Sequence, residues 1–163
     1  MALAKLGSGD EATEIFHMLN PVNHTRTPGD VARYGLEPYV LAGDVYNHAA
    51  HRGRGGWSWY SGSAGWMYRA AVESILGLRR CGGAFAVDPC VPSTWPECAM
   101  TWRVGPTRFV IRVTNPDRQC RGVRHATLDG RAVNHLAIPI VDDGAVHHVD
   151  VVLGLAEAVR ARA

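Results

Sequence analysis

The sequence predicts an α+β protein in which residues 1–80 form helices and residues 81–163 form an antiparallel β-sandwich. Two observations carry this prediction. Up to Arg80, apolar residues recur at spacings of three and four, which is the period of a helix with a buried face. From Cys81 onward, short runs rich in β-branched and aromatic residues alternate with polar positions, which is the period of a half-buried strand.

The composition places limits on the class of protein and on its partners. The chain has 163 residues, of which 47% are hydrophobic and 20% charged, as in an ordinary core-forming protein. The net charge is +2 and the arginines are scattered, so we expect no nucleic-acid partner. No apolar stretch approaches the ~20 residues needed to cross a bilayer. The start, MALAKLGSGDEATEIF, lacks the apolar core of a signal peptide and is typical of a helix interior, so we expect Met1 not to be a natural beginning.

The first elements are two helices and a loop. Gly7 ends the helix MALAKL, because glycine readily adopts the left-handed conformation of a helix end. Ser8 or Asp10 can cap the next helix, and Asn20-Pro21 stops it. The polar run NHTRTPGDVARYG then predicts a loop.

Two further helices complete the first half. EPYVLAGDVYN predicts a helix because Pro38 suits a first helical turn. Its expected buried residues are Val40, Leu41, Val45 and Tyr46. The run GSAGWMYRAAVESILGLRR predicts a longer helix with two apolar faces. These faces are formed by Met67, Ala71, Ile75 and Leu78 and by Trp66, Ala70 and Ser74. A helix that is apolar on two sides packs between neighbours, which predicts layered helices.

The second half predicts six strands. They are FAVDP, AMTWRV, TRFVIRVTN, GVRHATL, HLAIPIV and HHVDVVL. Asp129-Gly130 and Asp143-Gly144 predict hairpin turns, and short strands at regular spacing indicate a sandwich. The boundary between the halves falls at residues 79–83, and we expect the tail LAEAVRARA to fray.

The stretch RGRGGWSWYSGSAGW, residues 52–66, is the first candidate functional segment. It combines five glycines with four large rings, whereas flexible linkers lack such rings. The rings belong to Trp57, Trp59, Tyr60 and Trp66. Ser61 and Gly62 stand where this loop enters the long helix, so a hydroxyl and an unshielded backbone could hold an anion beside a sugar stacked on the rings. The alternative is that Ser61 is a simple helix cap and that the tryptophans are core.

Polar residues before this stretch are further candidates for ligand contact. Glu37 either caps the predicted helix or contacts a ligand, and Tyr39 follows it closely. Asp44 lies within an apolar helix, where a carboxylate needs a partner such as a sugar hydroxyl or an arginine. His48 and His51 have a metal-like spacing, but with no carboxylate nearby in sequence we expect a solvated loop and no metal.

Three runs carry a resemblance to a known family. NPVNHTRTPGDVARYGLEPYVLAGDVY, GRGGWSWYSGSAGWMYRAAVESILGLRR and VDPCVPSTWPE closely resemble the glycoside hydrolase family 94 phosphorylases, in particular the C-terminal phosphorylase domain of the cyclic β-1,2-glucan synthases. The resemblance extends from Met1 to about Gly154. It implies that residues 1–80 are the last helices of an (α/α)6 barrel and that residues 81–163 are the β-sandwich that follows it.

The resemblance also implies a reaction. Family members catalyse inverting phosphorolysis of a β-glucoside, in which an aspartate protonates the glycosidic oxygen and phosphate attacks the anomeric carbon to give α-glucose 1-phosphate. Phosphate thereby takes the place that water and its base occupy in an inverting hydrolase. The implied ligands are a β-glucan oligosaccharide and inorganic phosphate as co-substrate, without any other cofactor.

The site residues are carried over from two family motifs. The phosphate-binding motif W-x-[TS]-G corresponds to residues 59–62, which makes Ser61 and Gly62 the expected phosphate ligands. The E-P-Y-V block corresponds to residues 37–40 and borders the sugar subsites. The expected sugar-binding residues are Glu37, Tyr39, Asp44 and Trp59. Cellobiose-type members have a sugar-contacting glutamine near the position that Gly43 occupies in this chain. The lack of a glutamine there fits a substrate other than cellobiose.

The resemblance places other catalytic groups outside this chain. The general-acid aspartate and the phosphate-binding arginine and histidine belong upstream of MALAKLG, and none of the eight histidines matches that motif. We therefore expect the chain alone not to catalyse phosphorolysis and to require the upstream part of the same polypeptide as its partner. We also expect a cytoplasmic location, alone or within an inner-membrane synthase, and a homo-dimer. The alternative is a non-catalytic carbohydrate-binding or interaction module.

Overall fold

The computed structural model describes residues 1–59 and 62–155 and has an α+β architecture. Its α-helices are α1 (Ala2–Leu6), α2 (Gly9–Leu19), α3 (Pro28–Tyr34) and α4 (Ser63–Arg69), with 3₁₀ turns at Pro21–His24 and Ala49–His51 and a π-helical segment at Ala70–Ile75. Its strands are β1 (Asp44–Val45), β2 (Gly55–Gly56), β3 (Leu78–Cys81), β4 (Ala84–Val87), β5 (Glu97–Val104), β6 (Thr107–Thr114), β7 (Val123–Leu128), β8 (Arg131–Ala132), β9 (Ile138–Pro139) and β10 (Val146–Leu153). The chain forms two compact units, one of residues 14–71 and one that joins residues 1–13 to the chain from Val72 onward.

Helix α1 ends where the sequence predicts. Gly7 has a φ of 88° and its N–H bonds back to the last turn, so the predicted glycine stop is confirmed. Helix α2 also ends as predicted, immediately before Asn20. Asp10 does not serve as the expected cap, because its carboxylate accepts hydrogen bonds from the Ser93 N–H at 2.8 Å and the Ser93 hydroxyl at 3.0 Å. These bonds lower the pKa of Asp10, and they fasten the start of α2 to the strand-rich part of the same unit.

The segment predicted as a polar loop contains helix α3, so that prediction is wrong. Thr27 caps the helix by accepting a hydrogen bond from the Asp30 N–H at 3.2 Å. Pro28 occupies the first turn, and Gly35 ends the helix with a φ of 67°. These are standard start and stop signals, and they override the polar composition of the run.

The helix predicted for EPYVLAGDVYN is absent, and the reason is a tertiary hydrogen bond. The hydroxyl of buried Tyr34 donates to the Val40 carbonyl and accepts from the Ala42 N–H, each at 3.2 Å. These bonds hold residues 40–42 in a non-helical segment that follows a turn at Pro38-Tyr39, after which β1 pairs with β2. Val40 is buried as expected, whereas Val45 and Tyr46 are exposed.

The long predicted helix is shorter than expected. Helix α4 passes into a π-helical segment that ends at Ile75, and Gly77 then turns the chain with a φ of 75° into strand β3. A Cβ at Gly77 would collide with the backbone of Asp88, so this close approach requires glycine. Ile75 and Leu78 are buried as predicted, but Trp66 is exposed, so its face of the helix is not covered within the described chain.

All six predicted strands are present, and they lie in two sheets. The larger sheet has the order β5-β6-β10-β7-β8 and the smaller one the order β3-β4-β9. The sheets pack through Phe85 of β4, whose ring contacts Trp102 and Phe109 at centroid distances of 5.1 and 5.0 Å. The expectation of a purely antiparallel sandwich is wrong in one respect, because β6 and β10 are parallel neighbours.

One of the two predicted hairpin turns is confirmed. Asp129 and Gly130 join β7 to β8 with φ values of 50° and 78°, as a type I′ turn requires. Asp143-Gly144 is not a hairpin turn, because the strands on either side of it belong to different sheets. The Asp143 carboxylate instead accepts a hydrogen bond from the Ala145 N–H at 2.8 Å.

A histidine held between two carboxylates lies at the start of β10. His147 Nδ1 is 2.7 Å from Asp129 Oδ2, and its Nε2 is 3.2 Å from Asp143 Oδ1. The ring also stacks on Phe109 at a centroid distance of 5.4 Å. The hydrogen bond to Asp129, followed by that to Asp143, raises the pKa of His147, while the pKa values of both aspartates are lowered. The cluster therefore favours the protonated imidazole.

Candidate functional site

In the glycine-aromatic stretch, residues 52–66, the tryptophan side chains are exposed and two of them have an unusual backbone conformation. Trp57 and Trp59 have φ values of 57° and 59°, in the left-handed region that side chains other than glycine rarely occupy. Their side chains are 71% and 74% exposed, and Trp66 is 59% exposed. The interpretation of these three residues as core is therefore wrong. The Arg69 guanidinium lies over the Trp66 ring, 5.2 Å from its centroid.

Three of the four expected sugar-binding residues come together. The indole Nε1–H of Trp59 donates a hydrogen bond to Glu37 Oε1 at 3.1 Å. The Tyr39 ring meets the Trp59 ring edge to face, with centroids 6.5 Å apart and an interplanar angle of 70°. A hydrogen bond from its own backbone N–H and the one from Trp59 lower the pKa of Glu37, so this carboxylate stays ionised as a hydrogen-bond acceptor.

A cleft of about 210 Å³ opens beside this cluster. Among the residues that line it are Tyr39, Val40, Leu41, Trp59, Gly62 and Ser63. Its walls are therefore mostly apolar and aromatic, with an ionised carboxylate held on the Trp59 indole. This combination suits a sugar ring, whose C–H face packs on aromatic surface while its hydroxyls bind polar groups.

Gly62 provides an open backbone at the start of α4. It has a φ of 68°, and among residues 1–59 and 62–155 no side chain caps the helix there and no atom lies within 4 Å of where a Cβ would stand. The first N–H groups of a helix lack intrahelical partners, so an acceptor on a ligand can approach them. Ser61, the other expected phosphate ligand, and Tyr60 lie outside the described residues.

Asp44 does not join the other sugar candidates in this cleft. It belongs to β1 rather than to a helix, and it pairs with Gly56 of β2. A Cβ on Gly56 would collide with Asp44 Oδ1 and would come within 3.0 Å of the Tyr46 hydroxyl. Asp44 therefore packs against a buried glycine, and the helix interior that made it a candidate is replaced by an extended segment.

Sequence reasoning missed part of the cleft. Val40 and Leu41 line it, but they were expected on the buried side of a helix. The E-P-Y-V block was the available signal, since it contains Val40 and its members Glu37 and Tyr39 were already sugar candidates. His48 follows the solvated reading, because its Nδ1 accepts a hydrogen bond from the Ala50 N–H and both it and His51 are exposed.

Two other kinds of site are absent from the part of the chain that the structure describes. In residues 1–59 and 62–155, no group of three His, Cys, Asp or Glu side chains is arranged to hold a metal ion. None of the helices seen in that part of the chain combines the length and apolarity that a membrane crossing demands.

The first half of the chain matches a family model. Residues 1–77 match the model described as "Glycosyl hydrolase 94 superfamily, catalytic domain". This match and the relatives below confirm the resemblance found from the sequence, and the chain belongs to the glycosyl hydrolase 94 superfamily.

Several curated proteins share this sequence over most of its length. The chain is 45% identical over 118 residues to the cyclic beta-(1,2)-glucan synthase NdvB of Rhizobium meliloti (strain 1021), which is 72% of this chain and 4% of that protein. It is 37% identical over 158 residues to the N,N'-diacetylchitobiose phosphorylase of Vibrio proteolyticus, covering 94% of this chain and 19% of the enzyme. It is 30% identical over 146 residues to the solabiose phosphorylase of Paenibacillus borealis, covering 89% of this chain and 19% of that enzyme. The chain thus spans less than a fifth of the length of these relatives.

Proposed function

We propose that this chain supplies part of the sugar and phosphate site of an inverting β-glucan phosphorylase that acts on β-1,2 linkages. The observation that carries the proposal is the position of the W-x-S-G motif. It begins at Trp59, which forms a wall of the aromatic cleft, and it ends at Gly62, whose backbone is open at the start of α4. Membership of a family that includes glycoside phosphorylases supports the same conclusion.

Each residue has a proposed role in phosphorolysis. Tyr39 and Trp59 pack on the sugar ring and Glu37 accepts its hydroxyl hydrogen bonds, while Ser61 and the backbone of Gly62 bind phosphate. A phosphate oxygen attacks the anomeric carbon as the glycosidic bond breaks, and the departing oxygen takes its proton from an aspartate outside this chain. The product is α-glucose 1-phosphate. Asp44, which lies off the cleft, is retained as a contact to a neighbouring sugar unit.

The linkage and the setting are parts of the same proposal. The preference for β-1,2-glucan is supported by the 45% identity to a protein named as a cyclic β-(1,2)-glucan synthase. The family match over residues 1–77 supports residues 1–80 as the end of an (α/α)6 barrel, with residues 81–163 as the sandwich domain. We further propose that the upstream polypeptide completes the site, that the complete protein is a homo-dimer, and that it works in the cytoplasm, alone or as part of an inner-membrane synthase.

A chimera tests the phosphate site. This chain replaces the segment that it aligns with in the Vibrio proteolyticus phosphorylase, and release of sugar 1-phosphate from N,N'-diacetylchitobiose is followed against phosphate concentration. We expect Ser61→Ala to raise the KM for phosphate about tenfold, the equivalent of one charge-assisted hydrogen bond of ~1.4 kcal/mol. The KM for the disaccharide should change little, because Ser61 does not contact the sugar in this proposal.

Ser74→Ala is the matched control, since it removes the same hydroxyl further along the helical segment that α4 begins. An active chimera whose phosphate KM is unaffected by Ser61→Ala, or is raised equally by Ser74→Ala, would disprove the phosphate assignment. The linkage is tested separately by offering β-1,2- and β-1,4-gluco-oligosaccharides to this chain joined to its own upstream polypeptide. A preference for the β-1,4 series would contradict the β-1,2 proposal while leaving the phosphate site intact.

A second function is favoured by the exposure of the aromatic residues. Tyr39 and Trp59 are 72% and 74% exposed in the chain by itself, as in a surface that binds carbohydrate without catalysis. Under this alternative, a non-catalytic carbohydrate-binding or interaction module, the isolated chain binds β-glucan tightly and phosphate has no effect. Isothermal titration of the isolated chain with β-1,2-gluco-oligosaccharide, with and without phosphate, separates the two functions.

A further inference from the structure

A second cleft, of about 480 Å³, lies in the same unit, and its lining residues differ from those of the aromatic cleft. Its size is within the roughly 300–1,000 Å³ range of small-molecule sites. The side chains that give it chemical character are Tyr46, His51, Arg54, Trp57 and Ser58. It is therefore a polar cleft with a cation, a phenol and an indole, and no family motif described above assigns a role to it.

Backbone hydrogen bonds stabilise the loop that forms this cleft. The N–H of Tyr46 donates to the Arg54 carbonyl and the N–H of Gly53 donates to the Tyr46 carbonyl, each at 2.9 Å. The Arg54 N–H also bonds to the His51 carbonyl at 3.0 Å. At the base of the cleft, Gly56 is buried so closely that a Cβ would come within 3.0 Å of the Tyr46 hydroxyl. The cleft is thus a preformed feature of the loop rather than a gap between loose side chains.

The loop that carries most of the cleft's lining residues contains basic but no acidic side chains. Between Val45 and Val72 the sequence contains three arginines, two histidines and no aspartate or glutamate. Within the part of the chain that the structure describes, the Arg54 guanidinium has no ion pair or side-chain hydrogen bond, whereas Arg33 in the same unit pairs with Asp30 at 3.7 Å. A guanidinium carries five donors and matches the geometry of a carboxylate or phosphate group.

The rim of the cleft adds an apolar face. Trp57 lines it with a side chain that is 71% exposed, and the Tyr46 hydroxyl offers a further hydrogen bond. A free inorganic anion gains little from an indole face, and a neutral sugar can accept hydrogen bonds from a guanidinium but leaves its charge uncompensated. A sugar that carries an anionic group uses both.

We propose that this second cleft binds a saccharide unit bearing an anionic substituent, with Arg54 on the carboxylate or phosphate group and Trp57 on the sugar ring. Two carboxylates lie beside the cleft and limit its affinity for an anion: Asp44 packs against Gly56, and Glu37 shares a hydrogen bond with Ser58. This site is separate from the proposed phosphate and sugar site, and it does not depend on the phosphorylase assignment.

Calorimetric titration of the chain at low salt tests the proposal with four probes: glucuronate, glucose 6-phosphate, glucose and inorganic phosphate. We expect both anionic sugars to bind about tenfold more tightly than glucose or phosphate alone. Arg54→Gln should weaken the anionic sugars about fivefold, in line with an exposed ion pair, and leave glucose unchanged. If only one anionic sugar meets these expectations, that result identifies the substituent that the cleft takes.

The control is Arg52→Gln, which removes an exposed charge from the same loop outside the cleft. Equal losses in Arg52→Gln and Arg54→Gln would indicate a general electrostatic attraction and overturn the site. Binding of inorganic phosphate as tight as that of glucose 6-phosphate would overturn the role of the sugar ring. Loss of anionic-sugar binding in Ser61→Ala but not in Arg54→Gln would move the ligand to the phosphate site, which overturns this inference and supports the proposed function. Circular dichroism of each variant confirms that the fold is retained.

Discussion

The Tyr34 hydroxyl is the group on which the shape of the aromatic cleft most directly depends. It holds the Val40 carbonyl and the Ala42 N–H at 3.2 Å, and Val40 and Leu41 line the cleft. Replacing Tyr34 by phenylalanine removes only this oxygen. The ring stays stacked on His24, whose centroid is 5.3 Å away, so the variant isolates the two hydrogen bonds.

The expected cost follows from burial. Tyr34 is 1% exposed and Val40 is buried, so without the hydroxyl the Val40 carbonyl loses its donor in a place that water does not reach. A buried partner left unsatisfied costs about 1–3 kcal/mol. Ala42 is only partly buried, and water can replace the bond to its N–H. We therefore expect Tyr34→Phe to lower the free energy of unfolding by about 1–3 kcal/mol, a large part of the ~5–15 kcal/mol typical of a whole domain.

Urea unfolding and amide hydrogen exchange measure the two consequences. In Tyr34→Phe, the Ala42 amide should exchange about tenfold faster or more, since ~1.4 kcal/mol corresponds to a factor of ten. Binding of gluco-oligosaccharide to the cleft should weaken with it. Tyr68→Phe is the control, because that side chain is 69% exposed and should change stability by less than ~0.5 kcal/mol. Unchanged exchange at Ala42, or an equal loss of stability in Tyr68→Phe, would refute the reasoning.

Two further predictions concern a glycine pair and the histidine held between two aspartates. Gly62→Ala should lower the free energy of unfolding by about 1 kcal/mol, because Gly62 has a φ of 68°. Gly65→Ala should raise it by up to ~1 kcal/mol, because Gly65 lies inside α4 with open space around it. Thermal unfolding that gave the same sign for both variants would contradict this prediction. His147 has a raised pKa, so its stabilising contribution is full below its ordinary pKa of about 6.5 and is lost as pH rises through the raised value. The unfolding free energy of His147→Gln, measured by urea titration at several pH values, should fall less steeply above pH ~6.5 than that of the unmodified chain. Identical pH profiles would exclude this role.

The strands were predictable because each has one buried face. In β6 every second residue is buried, and the residues between are more exposed. The buried residues are Thr107, Phe109, Ile111 and Val113. The sequence of this strand therefore has the period of two that is typical of a strand with one buried face. The direction of pairing was not predictable. An alternating strand has the same pattern whether its neighbour is parallel or antiparallel, and the partner of β6 begins more than thirty residues later, at Val146.

The helices show both a missed local signal and a tertiary effect. Helix α3 carries its signals in Thr27, Pro28 and Gly35, and weighting these above composition would have found it. The segment after Glu37 is different. Its apolar spacing fits a helix, and only the contact of Val40 and Ala42 with the Tyr34 hydroxyl decides against one. No local pattern contains that contact.

The candidate site was predictable only through the family motifs. Glu37 and Trp59 are 22 residues apart, and no helical or strand period relates them, yet their side chains share a hydrogen bond. The structure brings them together because β1 and β2 pair between them and return the chain to the same place. For the same reason Asp44, which takes part in that pairing, packs on Gly56 rather than in the cleft.

The backbone at Trp57 and Trp59 explains why large rings stand beside so many glycines. Gly55 and Gly56 are buried, and the side chains of Leu36 and Asp44 pack where their Cβ atoms would be, so these two positions require glycine. The two tryptophans hold left-handed conformations that cost of order 1–3 kcal/mol each, and a glycine at either position would relieve that cost. Their indoles are mostly exposed, and Trp57 lines one cleft while Trp59 lines the other. Neither ring is buried in the core, so the strained backbone places each indole on the lining of a cleft rather than in the packing of the unit.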